Sequence, residues 1–165
     1  MNSSGAMTTT PSAGDTSNPL EGLGWLLTQF VSDNPGVTHG VLMSRDGLKL
    51  LDSGVDRDWS DKLAATFAGM ASLGASVAGP TGREVRPSQL LVERSDCFFL
   101  IQYAGQAVSF PNAPGRDRRV DTILGIVAGP DADLEAVGFE MTHLIERFAP
   151  LFAIEARVSA DHTTR

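Results

Sequence analysis

The sequence holds one cysteine in 165 residues, Cys97, so no disulfide can form within the chain and packing alone must hold the fold. Nothing therefore points to an oxidising compartment. The surrounding Asp96-Cys97-Phe98-Phe99-Leu100 is strand-like, and a lone thiol there reads as a small core residue rather than a nucleophile. Long apolar runs are missing too: none approaches the ~20 residues of a membrane span. No basic flank precedes an apolar segment at the N-terminus, which excludes a signal peptide there. Cations are scarce, 13 Lys and Arg against 20 Asp and Glu, for a formal charge of -7. That balance argues against nucleic acid, whose phosphates need clustered cations. Arg116, Arg118 and Arg119 form one local basic run, read first as a solvated loop.

Catalytic signatures are absent as well. Gly79-Pro80-Thr81-Gly82 lacks the lysine of a phosphate-binding loop and follows a helical stretch, so it reads as a turn. His39, His143 and His162 have no second ligand at metal spacing, and His143 reads as a flank or interface residue. Asp46, Asp52, Asp56, Asp58 and Asp61 flank a turn and a helix start, where carboxylates cap and favour the helix dipole. Ser88, Ser95 and Ser109 sit in no nucleophile elbow. No cofactor or metal is expected, and an enzyme is the least favoured class.

What remains is a well-patterned α/β (α+β) chain. Met1 to Ala6 reads as a cloning remnant with Met7 as the native start, and residues 1–18 as a disordered arm. From Pro19, Leu23, Leu27, Phe30 and Val31 fall at helical spacing, with Asn18 as the cap and Asn34-Pro35-Gly36 as the stop. Val37 to Ser44 and Leu48 to Ser53 flank an Asp46-Gly47 turn, a hairpin signal in which Gly40 marks a bulge or a close backbone approach. Trp59, Leu63, Phe67, Met70, Leu73 and Val77 mark a second helix over about 58–78. Its other positions are small, and no charge follows Lys62 until Arg83, so it should be covered on more than one side.

Strands follow at Pro87 to Arg94, Cys97 to Ala104 and Arg119 to Ala128, with Gly105 to Arg119 read as a long loop. Asp131 is the expected cap of a last helix bearing Leu134, Val137, Met141, Leu144 and Phe148 and ended or kinked at Pro150. The predicted architecture is a central five-stranded antiparallel sheet flanked by three helices, in the order α-β-β-α-β-β-β-α. The domain should span 19–153, with a flexible tail over 154–165.

Leu23-Gly24-Trp25-Leu26-Leu27, the run Val37 to Leu48 with its Asp-Gly turn, Lys62-Leu63-Ala64-Ala65, Leu73-Gly74, Leu100-Ile101 and Leu144-Ile145 together resemble the roadblock / dynein light chain family. The likeness spans about Leu20 to Phe152 and is greatest to actinobacterial members encoded beside Ras-like GTPases and a sensor-kinase-like protein. It implies a profilin-like roadblock fold and a homodimer joined through the middle strand and helix, here Leu90, Leu91 and Val92 with Ala64, Ala68, Ala71 and Ala75. It further implies a non-enzymatic scaffold or regulator of a small Ras-like GTPase, with that sensor-kinase-like protein as a further partner. Arg45, Arg57, Arg116, Arg118 and Arg119 are candidates to face the GTPase, though the 105–119 loop departs from the family's compact connection. The expected location is the cytoplasm, either free or held at the membrane periphery through a partner complex, without membrane insertion. The competing reading is a profilin-like sensory module that binds a small ligand in a cavity lined by Phe67, Met70 and Phe99.

Overall fold

A computed structural model describes residues 19–108 and 119–161, with backbone alone for 19–21, 108 and 153–161. The expectations for the arm at 1–18, the Asn18 cap, Arg116, Arg118 and the last four residues lie outside the described residues. The elements run α1 (Pro19–Asp33), β1 (Val37–Ser44), β2 (Lys49–Asp52), α2 (Arg57–Ser76), β3 (Gln89–Glu93), β4 (Phe98–Val108), β5 (Arg119–Ala128) and α3 (Leu134–Asp161). All five strands form one sheet in the order β2-β1-β5-β4-β3, and every pairing is antiparallel.

Alternation along the strands divides the core in two. Leu42, Leu100, Leu124 and Ile126 point to one face, where Leu23, Leu27, Met141, Leu144 and Phe148 of α1 and α3 cover them. Val41, Met43, Ile101, Ile123 and Val127 point to the other, where α2 covers them with Leu63, Ala64, Phe67, Ala68 and Ala71. Gly125 sits at the centre of that second face. A Cβ there would lie 2.1 Å from Cδ2 of Phe67, so the missing side chain is what lets the ring rest on the sheet. Phe67 meets Phe99 edge-on, with centroids 5.1 Å apart.

The Asp46-Gly47 turn forms as expected, with Gly47 at φ +84°, a conformation side chains disfavour. Gly40 proves to be a close approach, since a Cβ would lie 2.7 Å from Cδ1 of Leu27. Asp56 caps α2 by accepting from the Trp59 amide at 3.1 Å.

Four expectations need correction. The strand expected to end at Ala104 continues to Val108, because a shift in register at Tyr103/Gly105 lets β4 keep pairing with β5 into the segment read as a loop. The cap of α3 is Asp133 rather than Asp131: the Ala132 amide donates back to the Gly129 carbonyl, delaying the start, and Asp133 Oδ1 accepts from the Ala136 amide at 3.1 Å. Of the two outcomes expected at Pro150, an end or a kink, the end is excluded, since the last helix runs on to Asp161. Proline removes one helical hydrogen bond there, while the alanines around it favour continuation. The fourth correction concerns which face of α2 packs inward.

Candidate partner-binding surface

The stripe read along α2 is split by the fold. Leu63 and Phe67 are buried, but Leu73 is 70% exposed, Val77 beyond the helix 67% and Trp59 37%. The inward face is instead Ser60, Leu63, Ala64, Phe67, Ala68 and Ala71. Alanines let the helix axis settle close to the strands: the Tyr103 hydroxyl donates to the Ala71 carbonyl at 3.4 Å, and Gly47 packs against Ala65. Ala64, Ala68 and Ala71, expected at a dimer interface, are therefore enclosed by their own sheet, and side chains so enclosed cannot meet a second chain. Ala75 is half-buried. Beyond Lys62 the outward face of α2 carries Ala65, Thr66, Gly69, Ser72, Leu73 and Ser76, all exposed and none charged.

Beside this face runs β3, the sheet's last strand. It pairs with β4 from Gln89↔Gln102 to Glu93↔Phe98 and, among the described residues, has no strand on its other side. Leu90 and Val92 pack toward α2, and Leu91 points to the opposite face and is 50% exposed. The expected trio thus lies on an open edge, whose unpaired amides and carbonyls can receive another strand. The start of β3 lies under the end of α2, where Leu90 and Pro87 approach Gly74.

At the other end of β3 the sheet is less covered. Trp59, Lys62, Leu63 and Thr66 of α2, Phe99 and Val127 of the sheet, and Arg94, Asp96 and Cys97 of the β3–β4 turn enclose a groove of about 340 Å³. Trp59 stands edge-on to His39, centroids 4.4 Å apart, and partial burial lowers the His39 pKa. Arg94 grips Asp96 with two hydrogen bonds of 2.9 and 3.0 Å and lies over the Phe99 ring. Those bonds hold the Asp96 pKa below its ordinary value and raise that of Arg94. Burial pushes the Cys97 thiol up, which disfavours the thiolate a nucleophile needs.

The cavity expected around Phe67, Met70 and Phe99 is occupied by the Phe67 ring itself, which is fully buried. Of the arginines, Arg57 is exposed at the first position of α2, Arg45 follows β1, and Arg119 opens β5. Arg45 and Arg119 lie at the same end of the sheet, while Arg57 starts on another element. Sequence reasoning missed Arg86, which joins Arg45 at the Asp121 carboxylate. It also took Leu73 and Val77 for core, although their row falls outside the 60/64/67/71 row of small and large residues that a sheet-facing helix would use. Among the described residues no group of acids, cysteines and histidines could hold a metal ion, and no helix is long and apolar enough to cross a membrane.

Residues 23–110 match the family model of the Roadblock/LC7 domain. The crystal structure of a Roadblock/LC7 domain from Streptomyces avermitilis is 31% identical and superposes with a TM-score of 0.63, over 77% of this chain and 94% of that one. MglB in a tetrameric arrangement is 18% identical, with a TM-score of 0.65 over 88% of this chain and 98% of that one. The gliding protein MglB from Thermus thermophilus is 19% identical, with a TM-score of 0.65 and the same coverage. At those two identities the similarity concerns the fold alone. No curated protein sequence matches the chain. Together, the match over most of the sheet and the Streptomyces relative place this chain in the Roadblock/LC7 family.

Proposed function

We propose that the protein is a homodimeric, non-enzymatic regulator that presents a binding surface to a small Ras-like GTPase. The observation that carries the dimer is the open β3 edge beside an exposed α2 face that has no charge after Lys62. Antiparallel pairing of two β3 strands requires a two-fold axis perpendicular to the sheet. Both α2 helices then lie on the same side, and the start of one β3 sits beside the end of the other. The same operation carries Leu73 and Val77 of one copy toward the Trp59–Phe99 groove of the second. An exposed apolar pair and an apolar-walled groove are thereby matched by symmetry. MglB in a tetrameric arrangement supports self-association as a habit of this fold.

The GTPase comes from the family resemblance, and the lack of a recognisable catalytic motif supports a binding role over a reaction. The sensor-kinase-like partner and the cytoplasmic location rest on the same resemblance. Light scattering should give twice the chain mass. The GTPase encoded nearby should co-elute with the protein in a nucleotide-dependent way, and its GTP hydrolysis should change when the protein is added. A monomer that co-elutes with no GTPase overturns the proposal.

The groove also favours a second reading, because its volume suits a small organic ligand. A ligand site would give saturable binding in the Leu73→Asp/Val77→Asp variant, whose groove no second copy covers. A dimer socket would give none.

A further inference from the structure

β4 and β5 outrun their neighbours. β3 reaches only to Gln102 and β1 only to Thr122, yet β4 and β5 continue pairing through Gln106↔Asp121 to Val108↔Arg119. At the base of this projecting ribbon, Asp121 is a hub. Its Oδ2 accepts from Arg86 Nη2 at 2.9 Å and stands 3.9 Å from Arg45 Nη1, and its Oδ1 accepts from Gln106 Nε2 at 3.1 Å. The Arg45 amide donates to the Asp121 carbonyl at 2.8 Å, tying the turn after β1 to the ribbon. Arg86 also lies over the Tyr103 ring, 5.2 Å from its centroid.

Two guanidinium groups thus converge on one carboxylate whose side chain is 20% exposed, while their own side chains are about half exposed. One positive charge is left over locally, and Arg119 adds another from the same end of β5. Asp46 and Glu84, the acids nearest in sequence to Arg45 and Arg86, make no ion pair with either among the described residues. This end runs against the chain's charge of -7. Arginine, whose planar fork matches a carboxylate edge, supplies all but two of the 13 cations.

We infer that this end of the sheet is a docking site for an acidic segment of a partner protein, with Arg45 and Arg86 as a paired-guanidinium clamp. Asp121, itself steadied by Gln106, holds both groups and the Tyr103 ring backs Arg86, so less side-chain freedom is lost when a second carboxylate binds. Exposed Leu48, in the same turn as Arg45, gives the segment an apolar footing. An acidic protein segment fits better than an anionic membrane. Electrostatic attachment to a bilayer takes a cluster of about 4–8 cations, and the chain's net negative charge opposes it. The site lies outside the β3 edge and the groove, so it does not need the dimer.

The test is a low-salt amide NMR titration of the intact protein with a blocked oligoglutamate peptide, an oligoglutamine counterpart, and phosphatidylserine vesicles. Oligoglutamate should shift the amides of Arg45, Arg86, Gln106 and Asp121, and added salt should reverse the shifts. Oligoglutamine should leave them in place. Arg45→Gln/Arg86→Gln should weaken oligoglutamate binding about tenfold. Arg147→Gln/Arg157→Gln on α3, with the same charge change, should alter it less than about twofold. Equal loss in both variants would mean that net charge alone is read and would overturn the clamp. So would absence of oligoglutamate binding, or binding to vesicles without binding to the peptide. An unchanged amide spectrum away from residue 45 and residue 86 checks that the variants are folded.

Discussion

The two edges of the sheet are treated in opposite ways. At β2 the chain closes its own edge. The strand has four residues, all half-buried. Its Lys49 ammonium lies 3.1 Å from both Asp52 and Asp61 and donates to Ser60 at 2.7 Å, fastening the edge to the start of α2. At β3 no such cover exists among the described residues: burial alternates, nothing pairs beyond the strand, and the neighbouring helix face carries no charge after Lys62. A lysine pointing across an edge and a short strand are devices against association. Their use on one edge only fits the proposal that the other edge meets another chain.

Each prediction strains one side of this contrast. The largest effect comes from the platform both edges share. Phe67→Ala removes the ring seated on Gly125 and should cost about 3–5 kcal/mol in urea unfolding. A loss under about 1 kcal/mol would mean that α2 is held chiefly from elsewhere. Next, Leu73→Asp/Val77→Asp should weaken self-association about a hundredfold by equilibrium sedimentation, because it places charges in an apolar contact. The subunit's amide spectrum should stay folded, since both residues are exposed. Dimers persisting at low concentration would sink the β3–α2 interface.

A smaller effect should appear at the closed edge. Lys49→Met should cost about 1–2 kcal/mol near neutral pH by leaving Asp52 without its cation. The pH dependence follows from the signs. Burial alone would raise the Asp52 pKa, but the Gly54 and Val55 amides and Lys49 outweigh it and hold it below its ordinary 3.8. Its contribution is therefore present above that value and lost as the pH falls through the lower folded-state one. Burial alone would lower Lys49, but Asp61 and Asp52 raise it above 10.5, so its share is complete below that pH and lost on further rise. Between about pH 4 and 10 the fastening should hold. Acid unfolding below about pH 4 should be less steep in Lys49→Met than in the parent, and identical slopes would remove Asp52 from the account. Smallest is Asp56→Ala, which deletes the α2 cap and should cost about 1 kcal/mol in thermal unfolding.

Element types and order were legible from periodicity, because strands and helices here bury one face each. The Asp46-Gly47 turn and the small-residue character of α2 were legible too. What failed was direction. Counting large residues made Leu73 and Val77 core and left Ala64, Ala68 and Ala71 to a second chain, while the sheet selects small residues wherever a helix must lie close above Phe99 and Tyr103. Strand length also escaped, since Gly105 looks like an end until it and Gln106 are seen pairing with Thr122 and Asp121. The Arg45–Asp121–Arg86 cluster joins three segments distant in sequence, and no spacing rule could have assembled it. The open β3 edge had the same limit: a strand's neighbours are a property of topology, not of its own five residues.

The ring of Phe67 in the notch left by Gly125 has a mechanical consequence. A helix resting on a smooth sheet can slide or roll at little cost, but one with an aromatic peg in a backbone notch is indexed in both directions. α2 therefore cannot shift against β5 without first lifting that peg. A load applied to the exposed side of α2 is passed to the strands beneath, so helix and sheet move as one lever.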